Sequence, residues 1–155
     1  MIRSRRLDWL VFGLRALLIL SALAVLTVSG TAQTLVIVAA LAFGYELTIG
    51  LLNLLRIPSR WLRVLSVIGD GLLALVFFRA SDESASMLIG VGLFPILIAT
   101  LGYGRVIGLL TAAGLGGLAL GVVALAPGAA QRNFAPTLAG VLFLALGALL
   151  VGLLS

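Results

Sequence analysis

Three ionisable side chains fall inside long apolar stretches of this sequence: Arg15, Glu46 and Asp70. A charge at the centre of a membrane-spanning helix costs about 2.5 to 3.5 kcal/mol on insertion scales, so each of them needs a partner or a wet cavity. At about 1.5 Å per residue, Arg15 and Asp70 lie at matching depths, roughly 10 Å from the same end of their stretches. We therefore expect Arg15 and Asp70 to form an ion pair, and Asn53 could hydrogen-bond to the same group. The candidate intramembrane polar cluster is Arg15, Glu46, Asn53 and Asp70.

The residue types alone leave the role of this cluster open. Its four members could lock the first three helices in register through polar contacts. Glu46 and Asp70 could instead form a site for a sensed ligand or a proton, or line a transport pathway. Arg15 could also extend to the nearer membrane interface without a protein partner.

Several kinds of chemistry are excluded by residue types that the chain lacks. It has no cysteine and no histidine, which rules out disulfides, thiolate chemistry and histidine-ligated haem, zinc or copper. No G-x-S-x-G nucleophile elbow, no H-E-x-x-H pattern and no Walker A lysine is present. We predict that the protein is not an enzyme and has no catalytic residues, no cofactor and no metal site.

The composition is that of an integral membrane protein. Of the 155 residues, 63% are hydrophobic and only 10% are charged, and the mean hydropathy is +1.32. Long Leu/Ala/Val/Gly stretches favour helices, because a helix satisfies its own backbone hydrogen bonds in lipid. We predict an all-α polytopic bundle, a single membrane domain over residues 1–155. Its six transmembrane helices are expected at about 10–28, 35–55, 62–78, 87–101, 106–125 and 136–154.

The arginines predict the orientation of this bundle. Seven of them lie on one side if the helices alternate in direction: Arg3, Arg5, Arg6, Arg56, Arg60, Arg63 and Arg105. The other side has only Arg79 and Arg132. Because positive residues concentrate in cytoplasmic loops, both termini are expected to be cytoplasmic, in a multi-pass protein of a bacterial inner membrane. The arginines behind the net charge of +5 then lie mostly in short loops and the N-terminal tail, not on a soluble basic surface. The expected partners are therefore the lipid bilayer and a second copy or another membrane protein, not nucleic acid.

The N-terminal stretch has a second interpretation as a cleaved signal peptide. Its basic start, its apolar run and the small residues Gly30-Thr31-Ala32 would supply the three required regions. A retained helix is favoured, because the run is longer than a usual signal-peptide core and contains Arg15.

Two helices carry features that bear on packing and motion. Pro95 lies midway along the fourth stretch and predicts a kink or local unwinding, which makes it a candidate hinge. Gly90 and Gly92 precede it, so the outer half of this helix is expected to be the least constrained part of the bundle. Small residues in the fifth stretch predict a helix-packing face, or a dimerisation face, made of Gly104, Gly108, Ala113, Gly117 and Gly121.

The order of features over about residues 10–125 resembles the six-helix N-terminal membrane region of bacterial sensor histidine kinases and related sensor proteins. The residues that suggest this are Asn53-Leu54-Leu55 before a basic connection, Asp70, the polar turn from Arg79 to Ser86, Phe94-Pro95-Ile96, and Gly104-Arg105-Val106-Ile107-Gly108. In that family the sixth helix leads into a cytoplasmic coiled coil and a catalytic output domain. Here the residues end at Ser155, without a phosphoaccepting histidine or an ATP-binding domain. The resemblance therefore implies a sensory or interaction module, a truncated sensor or a stand-alone relative.

Two main functions remain open from the sequence. The first is a membrane-embedded sensory or regulatory module that shifts helix six relative to helix one in response to a small signal. The second is a small transporter or channel subunit that uses Glu46 and Asp70 as a polar pathway. A structural accessory subunit of a membrane complex is a further alternative.

Overall fold

The computed structural model describes residues 2–29, 32–55, 58–82, 84–125 and 129–154, and these ranges form helices joined by short turns, with no strand among them. The helices are α1 (Ile2–Ser29), α2 (Ala32–Leu54), α3 (Ser59–Ala80), α4 (Ala85–Tyr103), α5 (Arg105–Leu125) and α6 (Ala129–Leu154).

Five of these helices, α2 to α6, contain segments long and apolar enough to cross a membrane. The corresponding segment of α1 is shorter, Phe12–Val28, and contains the buried Arg15. The predicted all-α membrane fold is confirmed. A helix suits hydrocarbon because most of its backbone hydrogen bonds form within the segment itself.

Two helices extend beyond the apolar stretches from which they were predicted. Helix α1 begins at Ile2, where residue 10 was expected, and α6 begins at Ala129, where Pro136 was expected. Apolarity marks the part of a helix that suits hydrocarbon, while the helix itself continues into polar sequence. Of the possible cleavage site, Gly30 and Thr31 lie outside the described residues.

Helix α4 lies at the centre of the bundle, where it packs against α1, α3, α5 and α6. The helices α3 to α6 form a closely packed four-helix group. Helices α1 and α2 pack on this group through smaller contacts with α3 and α4. The largest fully buried apolar side chains include Phe77 and Phe78 of α3, Leu88 and Ile96 of α4, and Leu144 of α6.

The outer half of α4, which the sequence predicts to be the least constrained part of the bundle, packs against its neighbours. Met87, Leu88 and Val91 are buried, and a Cβ added at Gly92 would lie 3.5 Å from Leu144. The helix is also continuous through Pro95, which is itself buried, so the predicted unwinding does not occur. Helix α4 as a whole packs against four helices, and it keeps its helical form despite the hydrogen bond that proline removes.

The packing face of α5 differs from the predicted one. Its buried small residues are Gly108, Ala112, Gly116 and Ala119, whereas Ala113 and Gly117 are exposed and Gly121 is half-buried. Gly104 is exposed and lies outside α5, as the C-cap of α4 with φ +91°. The predicted set combined two series with a spacing of four, one that ends at Gly108 and one that begins at Ala113. Because each residue turns the helix by about 100°, two positions that are five residues apart cannot lie on the same face.

The buried glycines permit close helix contact. A Cβ at Gly116 would lie only 3.2 Å from the Cβ of Val141 on α6 and would overlap its methyl groups, and a Cβ at Gly108 would lie 3.1 Å from the Cα of Thr100 on α4. A Cβ at Gly117 would have no neighbour within 4 Å. Small residues thus let α4, α5 and α6 approach where no hydrophobic effect drives helices together.

Paired alanine substitutions should separate the two faces of α5. Gly116→Ala should lower the free energy of unfolding in detergent by about 1 to 3 kcal/mol, because the new methyl group overpacks against Val141. Gly117→Ala is the matched control and should be neutral or raise stability by about 0.5 to 1 kcal/mol. Thermal unfolding of both variants measures this difference, and equal effects would contradict the assigned face.

Candidate functional site

A buried ion pair joins α1 to α3. The Nε atom of Arg15 lies 2.8 Å from Oδ1 of Asp70, and each side chain is only 4% exposed. This is the pairing that the matching depths predicted. In a membrane-spanning segment, each charge offsets a burial cost that neither could bear alone.

Two residues that the sequence interpretation missed complete the surroundings of this pair. Tyr45 of α2 donates its hydroxyl to Oδ1 of Asp70 at 2.7 Å, and the same hydroxyl lies 3.2 Å from the backbone oxygen of Ser66. Arg15 donates from Nη2 to the hydroxyl of the buried Ser66. We call Arg15, Tyr45, Glu46, Ser66 and Asp70 the charged cluster.

The local sequence of each helix accounts for this arrangement. Ser66 and Asp70 are four residues apart and therefore share one face of α3. The glycine before Asp70 is required by the neighbouring aromatic ring, since a Cβ at Gly69 would lie 2.8 Å from Cζ of Tyr45 and closer still to its edge. A Cβ at Gly71 would meet nothing within 4 Å. The spacing of Ser66 from Asp70 is the one signal in the sequence that pointed to a further member.

Glu46 is the least satisfied member of the charged cluster. Its Oε1 atom lies 3.8 Å from Nε of Arg15, and its side chain is 12% exposed. Both of its carboxyl oxygens are buried without a hydrogen-bond partner, as is Oδ2 of Asp70. One guanidinium thus faces two carboxyl groups.

Aromatic rings cover the guanidinium from two helices. The Cζ atom of Arg15 lies 5.7 Å from the ring centroid of Tyr45 and 5.7 Å from that of Phe94 on α4. These distances are within the range of a cation–π interaction. The charged cluster therefore contacts all four of the helices α1, α2, α3 and α4.

Asn53 does not belong to this cluster. It is half-buried, and among the described residues no hydrogen bond or ion pair joins it to Arg15, Glu46 or Asp70. Seven residues separate Glu46 from Asn53, which is about 10 Å along the helix axis. An amide side chain cannot cross that distance.

The described residues contain no group of three histidine, cysteine, aspartate or glutamate side chains placed to hold a metal ion. Fold, hydropathy and the buried charged cluster together define a multi-pass helical membrane protein. Comparison of the chain with protein-family models, curated proteins and solved structures finds no match. The resemblance to sensor-kinase membrane regions thus stays a prediction from the residue pattern.

A double-mutant cycle should detect the coupling between Arg15 and Asp70. Arg15→Ala and Asp70→Ala should each lower the free energy of unfolding in detergent by about 3 kcal/mol. The first leaves both carboxyl groups without their cation, and the second leaves Arg15 with only the more distant Glu46. The double variant should lose clearly less than the sum of the two. Asp82→Asn, which removes an exposed carboxylate from the turn after α3, is the control and should be neutral. Additive losses would contradict the coupling.

Proposed function

We propose that this chain is a membrane-embedded sensory module with both termini in the cytoplasm, and that the charge of its buried cluster is the quantity it senses. The observation that carries the proposal is the unbalanced charge. A single guanidinium serves two buried carboxyl groups, and the oxygens of Glu46 have no hydrogen-bond partner.

An arrangement that served only to lock helices together would need one acid for Arg15, and Asp70 already supplies it at 2.8 Å. Glu46 adds a second negative charge in a segment where an unpaired charge is costly. A bound proton or a small cationic ligand removes that cost. The cluster therefore has two states of different charge, which is the property an electrostatic switch requires.

The position of the charged cluster suits the transmission of such a change. It lies where the loosely packed α1 and α2 meet α3 and α4. Helix α4 packs against both α1 and α6, so a change in the position of α1 can reach α6 through one intervening helix. The proposed response is a shift of α1 and α2 against the group α3 to α6, biased by the charge of Glu46.

The charges at the two ends of the bundle support the proposed orientation. Arg60 and Arg63 lie in the first two turns of α3, and Arg105 is the first residue of α5. Tyr103, two residues before Arg105, donates its hydroxyl to the backbone oxygen of Arg60 at 3.1 Å, so these arginines share one end of the bundle. Arg79 lies in the last turn of α3, at the opposite end. The positive-inside rule favours the arginine-rich end as cytoplasmic, and a bacterial inner membrane is the proposed location.

A transporter is the second candidate, because Glu46 is partly exposed and lies within a membrane-spanning segment. The two functions differ in whether the cation crosses the membrane. Proton flux into liposomes that contain the full chain separates them. Flux that Glu46→Gln abolishes favours the transporter, and a conformational change without flux favours the sensor.

Neutralising Glu46 should move α1 relative to α6. Because the chain has no cysteine, spin labels can be attached at Leu20→Cys on α1 and Leu146→Cys on α6, both of which replace exposed leucines. In nanodiscs, Glu46→Gln should shift the distance distribution between the labels, since it mimics the proton-bound or cation-bound cluster. Asp82→Asn should leave the distribution unchanged. Identical distributions for the wild type and Glu46→Gln would indicate a purely structural cluster.

Cysteine labelling in intact cells tests the orientation. Cysteines at Ser84 and Gln131 should react with a membrane-impermeant maleimide added outside, and one at Ser155 should react only after lysis. External labelling of Ser155→Cys would contradict either the orientation or the number of crossings.

A further inference from the structure

An open apolar groove of about 440 Å³ runs along the outer surface between α5 and α6. It exists because the alanines at its floor are shorter than the leucines on either side. The residues that form this α5–α6 groove include Val106, Leu109, Leu110, Ala113, Leu142 and Ala145.

The length of the groove matches one leaflet of a bilayer. On α5 the groove runs from Val106 to Ala113, which is seven residues of helix or about 10 Å, and Arg105 lies one residue beyond Val106. Half of a hydrocarbon layer of ~30 Å is about 15 Å. The groove thus extends from the membrane interface towards the midplane and stays within one leaflet.

Arg105 places a positive charge at the interfacial end of the groove. Gly104, with φ +91°, ends α4 and makes Arg105 the first residue of α5. A Cβ at Gly152 would lie 3.1 Å from the Cα of Arg105, so α6 packs directly on its backbone and fixes its position. Arg105 is exposed, and no described carboxylate lies within ion-pairing distance of it.

We propose that the α5–α6 groove is a binding site for one anionic phospholipid, whose acyl chain lies along the groove and whose headgroup phosphate pairs with Arg105. The apolar lining suits a hydrocarbon chain, and the unpaired guanidinium at the interfacial end suits a negatively charged headgroup. A second copy of the chain would match the apolar lining but would leave the charge of Arg105 without a counterpart. This site lies apart from the charged cluster and does not depend on the sensory function.

Native mass spectrometry of the full chain released from detergent tests the site. The probes are dioleoyl phosphatidylglycerol and dioleoyl phosphatidylcholine at equal concentration. The wild type should retain one phosphatidylglycerol molecule in preference to phosphatidylcholine. Arg105→Gln should reduce that preference about fivefold, the effect of one arginine near a charged membrane surface, and Arg105→Lys should keep most of it. Arg79→Gln, which removes the same charge at the opposite end of the bundle, should have no effect.

The groove itself is tested by filling it. Ala113→Leu should lower retention of both lipids, whereas Ala124→Leu, at another exposed alanine of α5, should not. Equal retention of the two lipids by the wild type, or equal effects of Arg105→Gln and Arg79→Gln, would overturn the proposal. A dimer that Ala113→Leu abolishes would assign the groove to a second copy instead.

Discussion

The ion pair between Arg15 and Asp70 is the interaction on which the arrangement of the N-terminal half depends. Within a membrane-spanning segment, hydrocarbon offers neither charge an alternative partner, so the pair fixes the depth and rotation of α1 relative to α3. The hydroxyl of Tyr45 bonds to the same Asp70 oxygen and thereby places α2 as well. One carboxylate thus positions three helices, and Glu46 places a second carboxyl group 3.8 Å from Nε of Arg15.

Apolar packing holds helices α3 to α6 together, whereas polar and charged contacts hold α1 and α2 to that group. Helices α3 to α6 meet through small residues and interdigitated apolar side chains, as where Gly116 accommodates Val141. Helices α1 and α2 join this group through hydrogen bonds and ion pairs that centre on Asp70. Dispersion contacts do not depend on pH or on ions, whereas charge pairs do, so the two parts of the bundle differ in which conditions can affect their contacts.

The sequence predicted the charged residues of the site, but not the uncharged residues that contact them. Arg15 and Asp70 were paired by depth alone, because the cost of burying either one leaves few alternatives. Tyr45 was not predicted, since an aromatic residue in an apolar stretch is ordinary and its hydroxyl becomes informative only beside Asp70. The sequence places the polar Asn53 on the same helix as Glu46, but its distance along α2 excludes it from the cluster. The small residues of α5 predict a packing face, but the buried residues are Ala112 and Gly116, one position before the predicted Ala113 and Gly117.

By itself, the sequence determined the class of protein and the approximate position of every helix, because hydropathy is a local property and the backbone in lipid must satisfy its own hydrogen bonds. Tertiary structure alone decided which way each helix faces. A change of one residue rotates a face by about 100°, and in a bundle apolar on all sides no hydrophobic contrast selects the phase. Only the contacts between neighbours could bury Gly116 and leave Gly117 exposed, place α4 at the centre of the bundle, and bring Ser66 and Tyr45 to the charges of Arg15 and Asp70.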